Sequence, residues 1–229
     1  MGNQHWGVKL LFSMLGFMLN VSFVGAAEYS ISTIDTDRAR QLTYKAKVAY
    51  EAIGHSAKFH FLPPKRSLLE VNSGNFDAEL AQVPGIEVLF PNLVMVPEPI
   101  FEVSVSAVVR KNSGILSMSW DDLKTHTFAS PFQKKLVELR TGGYPGTTVR
   151  SSENIIKMVS RGRLDAGILL TVDAKEFAAL DDSVMVLSPV LGKTLLYHFV
   201  HKKNEDLIPA LTKAFREVNR NGPNAGLAF

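Results

Sequence analysis

Few residues in this chain could do chemistry, and they are scattered. Arg66 follows Pro63-Pro64 at a predicted helix start. Its guanidinium is a planar fork suited to a carboxylate or a similar anion. The plain alternative is a solvated surface arginine. Asp77 and Glu79 lie beside a predicted strand end, where they could hold a cation or order the loop; ordering is the better reading for Asp77. Ser130 and Gln133 flank the start of another predicted helix, whose exposed N–H groups suit an anion. Ser151 and Ser152 precede the next helix, and there plain capping is preferred. Phe101, Trp120 and Tyr197 could offer a ring to a ligand, although aromatic side chains more often fill cores. Asp165 reads as a turn-stabilising residue or a partner of Arg163.

Reaction chemistry finds no such foothold. Gly54-His55-Ser56-Ala57-Lys58 begins like a nucleophile elbow and fails at Lys58. Gly142-Gly143-Tyr144-Pro145-Gly146 is glycine-rich but lacks the phosphate-binding lysine. No carboxylate pair has spacing that argues for glycoside hydrolysis. The six histidines are dispersed: His198 and His201 are three apart on a predicted strand, hence on opposite faces. The sequence thus predicts no metal site, no cofactor and no enzyme.

Composition narrows the class further. The chain has 229 residues, of which 46% are apolar, enough for a sizeable core and one to two domains. Its 25 Lys+Arg against 22 Asp+Glu leave a charge of +3 with no basic run, so nucleic acid is not an expected partner. There is no cysteine, which excludes disulfides, thiolate metal sites, a Cys nucleophile and lipid attachment through a cysteine.

Residues 1–27 read as a secretory signal. Lys9 precedes an apolar run from Leu10 to Ala26, which ends in the small residues Val24-Gly25-Ala26-Ala27 before Glu28. The expected product is a soluble periplasmic protein beginning near Glu28. Beyond it, strands and helices alternate. The predicted strands include Tyr29 to Ile34, Lys58 to Leu62, Phe76 to Glu79, Leu93 to Val96 and Val103 to Val109. Helices are predicted with Asp37 as a cap and Gly54 as a stop, from Pro64 to Gly74, and over Pro131 to Leu139. A last helix, capped by Asn204, carries Leu207, Leu211, Phe215 and Val218 on one face. Such alternation predicts an α/β fold with mostly parallel sheets in two lobes, with ligands at the carboxyl ends of the strands.

Several stretches in order resemble the family 3, amino-acid-type periplasmic solute-binding proteins of ABC importers. They are Leu62-Pro63-Pro64-Lys65-Arg66-Ser67-Leu68, Asn72-Ser73-Gly74-Asn75-Phe76-Asp77-Ala78-Glu79, Val96-Pro97-Glu98-Pro99-Ile100, Trp120-Asp121-Asp122-Leu123-Lys124 and Gly162-Arg163-Leu164-Asp165-Ala166-Gly167. The resemblance implies the type II periplasmic-binding fold: two α/β lobes joined by two hinge crossings that close on a ligand. Lobe 1 would be 28–101 plus 195–229 and lobe 2 would be 102–192, with hinges near Ile100 to Ser104 and Ser188 to Thr194. The implied role is capture of a small polar, perhaps amino-acid-like, solute by a monomer that docks on a membrane permease; a sensory module that presents its ligand to a receptor is the alternative. The sequence departs from the resemblance at the ligand clamp. Gln82 stands where related sequences often carry an arginine, and an amide cannot make a bidentate charged pair with a carboxylate. The stretch Gly167-Ile168-Leu169-Leu170 is apolar where an aspartate is often found.

Overall fold

The computed structural model describes residues 25–131 and 146–221. The apolar run of the expected signal up to Val24, the predicted helix after Pro131 with Gln133, the glycine-rich 142–145 stretch and the tail from Gly222 lie outside the described residues.

Fourteen strands and α-helices follow one another in the described chain. The first half holds β1 (Glu28–Ile34), α1 (Asp37–Ala52), β2 (Ser56–Leu62), α2 (Pro64–Asn72), β3 (Ala78–Gln82) and the long β4 (Leu93–Arg110). The second holds β5 (Phe128–Ser130), β6 (Thr147–Thr148), α3 (Ser152–Ser160), β7 (Ala166–Leu170), α4 (Thr171–Ala178), β8 (Val184–Val186), β9 (Gly192–His201) and α5 (Ile208–Asn221).

Local chemistry sets the ends of the helices. The Thr36 hydroxyl accepts from the Ala39 N–H at 3.1 Å, so Thr36, one residue before the predicted cap, starts α1. Gly54 follows with φ 83°, a conformation that costs glycine little. Ser151 caps α3 through the Asn154 N–H at 3.2 Å. The predicted cap Asn204 falls instead inside a 3-10 turn, Lys202–Leu207, and α5 begins only at Ile208. Its side-chain amide is occupied elsewhere, donating to the Asp77 main-chain carbonyl at 3.3 Å and to its carboxylate at 3.2 Å.

The strands form one continuous path, β2-β1-β3-β9-β4-β7-β5-β6, with β8 also pairing β4. The predicted parallel pairing holds for β2-β1-β3 and for β6-β5-β7. Toward the middle the pairing turns antiparallel: β9 against β3 and β4, and β4 against β7 and β8. The two short strands predicted around Pro97-Glu98-Pro99 are a single strand, β4. Its pairing with β9 shifts register between Met95 and Phe101, where the prolines lie. Proline lacks the ladder donor and is tolerated at edges and bulges, and this part of β4 pairs β9 alone.

Two cores hang from this path. In one, α5 buries Leu211, Ala214, Phe215 and Val218 at i, i+3, i+4, i+7 spacing against α1 and the β1-β3-β9 face. Each such apolar side chain contributes roughly 1.5–3 kcal/mol when removed from water. In the other region, Val105, Ala107 and Val109 of β4 pack with Leu123 and Phe128, while Val108 packs with α3 through Ile155 and Val159. Along β4 the allegiance changes between Phe101, which belongs to the first core, and Val105, which belongs to the second. There β4 is paired with the start of β9, Val103 opposite Thr194 and Val105 opposite Gly192.

Candidate functional site

The parallel strands of the first core end at Ile34, Leu62 and Gln82, and those of the second at Ser130 and Leu170. These carboxyl ends are where open α/β sheets bind ligands. Arg66 lies in the first turn of α2, immediately after β2. Its side chain is 66% exposed, and its Nε donates to Glu70 Oε1 at 3.4 Å, one turn on. An exposed pair of that kind adds little stability and leaves most of the guanidinium fork available.

Gln82 is half-buried at the end of β3, opposite Tyr197 of β9. Its Nε2 donates to Glu79 Oε1 at 3.4 Å. Glu79 is the least expected feature of this end of the lobe. Its carboxyl is buried between β1 and α2, and its Oε2 lies 2.5 Å from Ser67 Oγ and 2.9 Å from Ser32 Oγ, while the two hydroxyls are 2.8 Å from each other. The two hydroxyls supply two protons for these three contacts, with Ser67 directed at both other oxygens. A proton on the carboxyl would complete the ring of contacts. Burial, only partly offset by the hydrogen bonds of Ser67, Ser32 and Gln82, pushes the group in the same direction, up to about 7.

Asp77 stands at the other, amino end of the sheet and is not brought together with Arg66 or Gln82. Its Oδ2 accepts from the Ser30 N–H at 2.8 Å and the Ser30 hydroxyl at 2.7 Å. Its Oδ1 meets Lys203 Nζ at 2.9 Å and Asn204 Nδ2 at 3.2 Å. Burial pushes this carboxyl up, but the hydrogen bonds from Ser30, Lys203 and Asn204 outweigh it and hold the group at about 2. That geometry fastens the turn after β9 to the start of β1.

Phe101 is only 2% exposed and packs in the first core, with Lys45 Nζ 5.1 Å from its ring centroid. It is thus a core residue with little ring surface to show a solute. Ser130 is buried at the last position of β5, pairs with Thr148 of β6, and its carbonyl accepts from the Val149 N–H at 3.1 Å. Of the predicted residues, then, the structure groups Arg66 and Gln82 at one carboxyl edge, sets Ser130 at the other, and places Asp77 and Phe101 elsewhere. Asp165 accepts from the Thr127 N–H at 2.8 Å and hydroxyl at 2.7 Å, the turn role read for it. Among the described residues no group of three or more His, Asp or Glu is arranged to hold a metal ion.

Two buried polar groups went unread in the sequence. Lys45 reaches from α1 to the crossing, where Nζ donates to the Ile100 carbonyl and to Asn219 Oδ1, both at 3.1 Å. Asn219 in turn donates to the Pro99 carbonyl at 2.8 Å. Carbonyls next to the register shifts in β4 are thus taken up by side chains of α1 and α5. His198, fully buried, shares a hydrogen bond with the Tyr50 hydroxyl at 3.0 Å and with the Leu80 carbonyl at 3.1 Å. A carbonyl only accepts, so Nδ1 carries the proton and Nε2 accepts from Tyr50. Burial holds this imidazole down at about 4, against the raising effect of the Leu80 bond.

The whole shape, two α/β regions strung on shared strands, has solved counterparts. A mutant of the arginine-binding protein ArgBP from T. maritima superposes with a TM-score of 0.67 at 17% identity, covering 85% of this chain and 90% of that one. An ancestral arginine-binding protein bound to glutamine gives 0.64 at 16% identity, covering 85% and 93%. A histidine kinase sensor domain with similarity to periplasmic binding proteins gives 0.67 at 10% identity, covering 85% and 91%. No protein-family model and no curated protein matches the chain. At these identities the likeness concerns the fold, and it is plain: this is a two-lobed α/β chain with the periplasmic-binding-protein fold. The solved counterparts are binding proteins and a sensor domain.

Proposed function

We propose that the protein is an exported, non-enzymatic solute-binding protein that captures a small polar, amino-acid-like ligand between its lobes for an ABC-type importer. The observation that carries this reading is the crossing. Two cores share the strands β4 and β9, and core membership changes between Phe101 and Val105, where those strands pair. Bending there moves one carboxyl edge against the other without breaking either core. A ligand touching both edges then favours the closed state. In this reading lobe 1 is 28–101 plus 195–229 and lobe 2 is 102–192. Arg66 and Gln82 meet the ligand from lobe 1 and the strand end at Ser130 faces it from lobe 2, while Asp77 and Phe101 brace the scaffold. The small residues before Glu28 mark the export cleavage site, and the periplasm is the working compartment. Among the described residues no helix is long and apolar enough to cross a membrane. A monomer suffices for this motion.

A sensory role is the second reading, favoured by the kinase sensor domain that superposes as well as an arginine-binding protein does. Neighbouring permease and ATPase genes would favour import; a neighbouring sensor kinase would favour signalling. The test of binding itself is thermal unfolding against amino acids, polyamines, organic acids and small sugars. A ligand at 100 times its dissociation constant adds about 2.7 kcal/mol, a shift of several degrees. A hit should also compact the protein in solution scattering. A cooperative melt unmoved by every compound, with unchanged scattering, would overturn the reading.

A further inference from the structure

The carboxyl edge of lobe 1 holds a second constellation, outside the residues already assigned. Arg40, one turn into α1, lays its guanidinium 4.1 Å from the ring centroid of Phe61. Its Nη2 pairs with Asp35 Oδ1 at 2.5 Å. Asp35 follows β1 directly, and Phe61 lies near the end of β2 in register with Thr33 of β1. All three therefore gather at the strand ends where the ligand is placed above.

Each component suits a cation. An aromatic face attracts a guanidinium or ammonium through its quadrupole, and a carboxylate beside it supplies the opposite charge. The start of a helix, by contrast, repels positive charge. Arg40 is thus held here by Phe61 and Asp35 against the field of α1. The Arg40 and Asp35 side chains are 51% and 60% exposed, so the hold is the weak one of a surface contact. An intramolecular occupant nonetheless has a high effective concentration over a free solute.

We propose that this corner is a cation receptor filled by the chain's own Arg40, and that Arg40 thereby sets the charge of the ligand. The cleft accepts solutes that are neutral or anionic at this end and rejects those presenting a guanidinium or ammonium there. The inference rests on the interlobe binding reading above and names the ligand class that reading leaves open.

The test is calorimetric titration of arginine and of glutamine into the wild type, Arg40→Ala, and Arg40→Ala combined with Phe61→Ala. Removing Arg40 should tighten arginine binding by about tenfold, the combined worth of an exposed cation–π contact and ion pair. Glutamine should change far less, and losing Phe61 should cancel the gain. R40M, which keeps the apolar stem and drops the charge, repeats the measurement if R40A does not fold. Arginine binding that is unchanged in R40A, an equal gain for glutamine, or a gain that survives without Phe61 overturns the proposal and leaves the binding function standing. If no variant binds arginine or glutamine the proposal also falls, and a blank result from the wider panel then removes the binding function with it.

Discussion

Replacing Glu79 by glutamine tests the proton count at the Ser32–Ser67–Glu79 triangle. Glutamine keeps the size of the side chain and offers both a donor and an acceptor, but it does not titrate. In the folded protein the carboxyl is pushed up to about 7, from an ordinary value of 4.5. Above pH 4.5 the unfolded chain releases this proton while the folded chain retains it. The stabilising contribution of the neutral acid is therefore complete below pH 4.5 and lost as the pH rises through 7. A difference of roughly 2.5 units at 1.36 kcal/mol each amounts to about 3 kcal/mol. Urea unfolding at pH 5, 6, 7 and 8 reads the effect as a difference between the two proteins, in which every other titrating group cancels. E79Q should match the wild type within about 1 kcal/mol at pH 5, since the polar contacts are kept. It should then gain relative to the wild type by up to about 3 kcal/mol by pH 8. Parallel curves would refute the reasoning. A deficit of E79Q that widens with pH would do so more directly, because it would make the carboxylate the form the fold prefers.

Two further outcomes follow from the buried polar groups. His198 is held at about 4 when folded, against an ordinary 6.5. The wild type should therefore lose up to roughly 3 kcal/mol as the pH falls from 6.5 through 4, and His198→Gln, less stable at neutral pH, should show a flatter acid limb in the same unfolding series. Asn219→Ala strips the Pro99 carbonyl of its donor and Lys45 of one acceptor. It should cost about 1–3 kcal/mol in urea unfolding, as expected for buried groups left unpaired; a cost within error of zero would mean that water replaces the amide.

Much of the fold was legible because short-range chemistry marks element ends. Pro64 opens α2, Gly54 and Gly74 end α1 and α2 with positive φ, and Leu211-Phe215-Val218 spacing draws the buried stripe of α5. Where the reading missed, a long-range partner had overridden a local preference. Asn204 has the side chain of a cap, but Asp77 holds its amide 127 positions away in sequence. Pro97 and Pro99 look like an interruption, yet β9 carries the strand past them, and Asn219 and Lys45 take the carbonyls beside the shifted register. The site was half legible for the same reason. Arg66 and Gln82 announce themselves by type and position. The raised protonation of Glu79 comes from its burial against Ser32 and Ser67, which only folding brings about, and the engagement of Arg40 depends on a ring contributed by β2. Alternation along Ala78-Glu79-Leu80 could have shown that Glu79 turns away from the α1 face; nothing local could have supplied its two hydroxyl neighbours.

The position of β9 in the sheet also orders events during synthesis. The second lobe can pair β4 with β7 and β8, and β5 with β6 and β7, as soon as residue 186 has emerged. The first lobe cannot close then. Its β3 waits for β9, with Ala78 paired to Val200, and its α1 face waits for Phe215. Bringing those ends together across more than a hundred intervening residues costs loop entropy that the second lobe never meets. The N-terminal lobe is thus begun first and finished last, and its apolar face stays open until nearly the whole chain has been made. If the chain is exported unfolded, as proposed above, that delay keeps it threadable for as long as export requires.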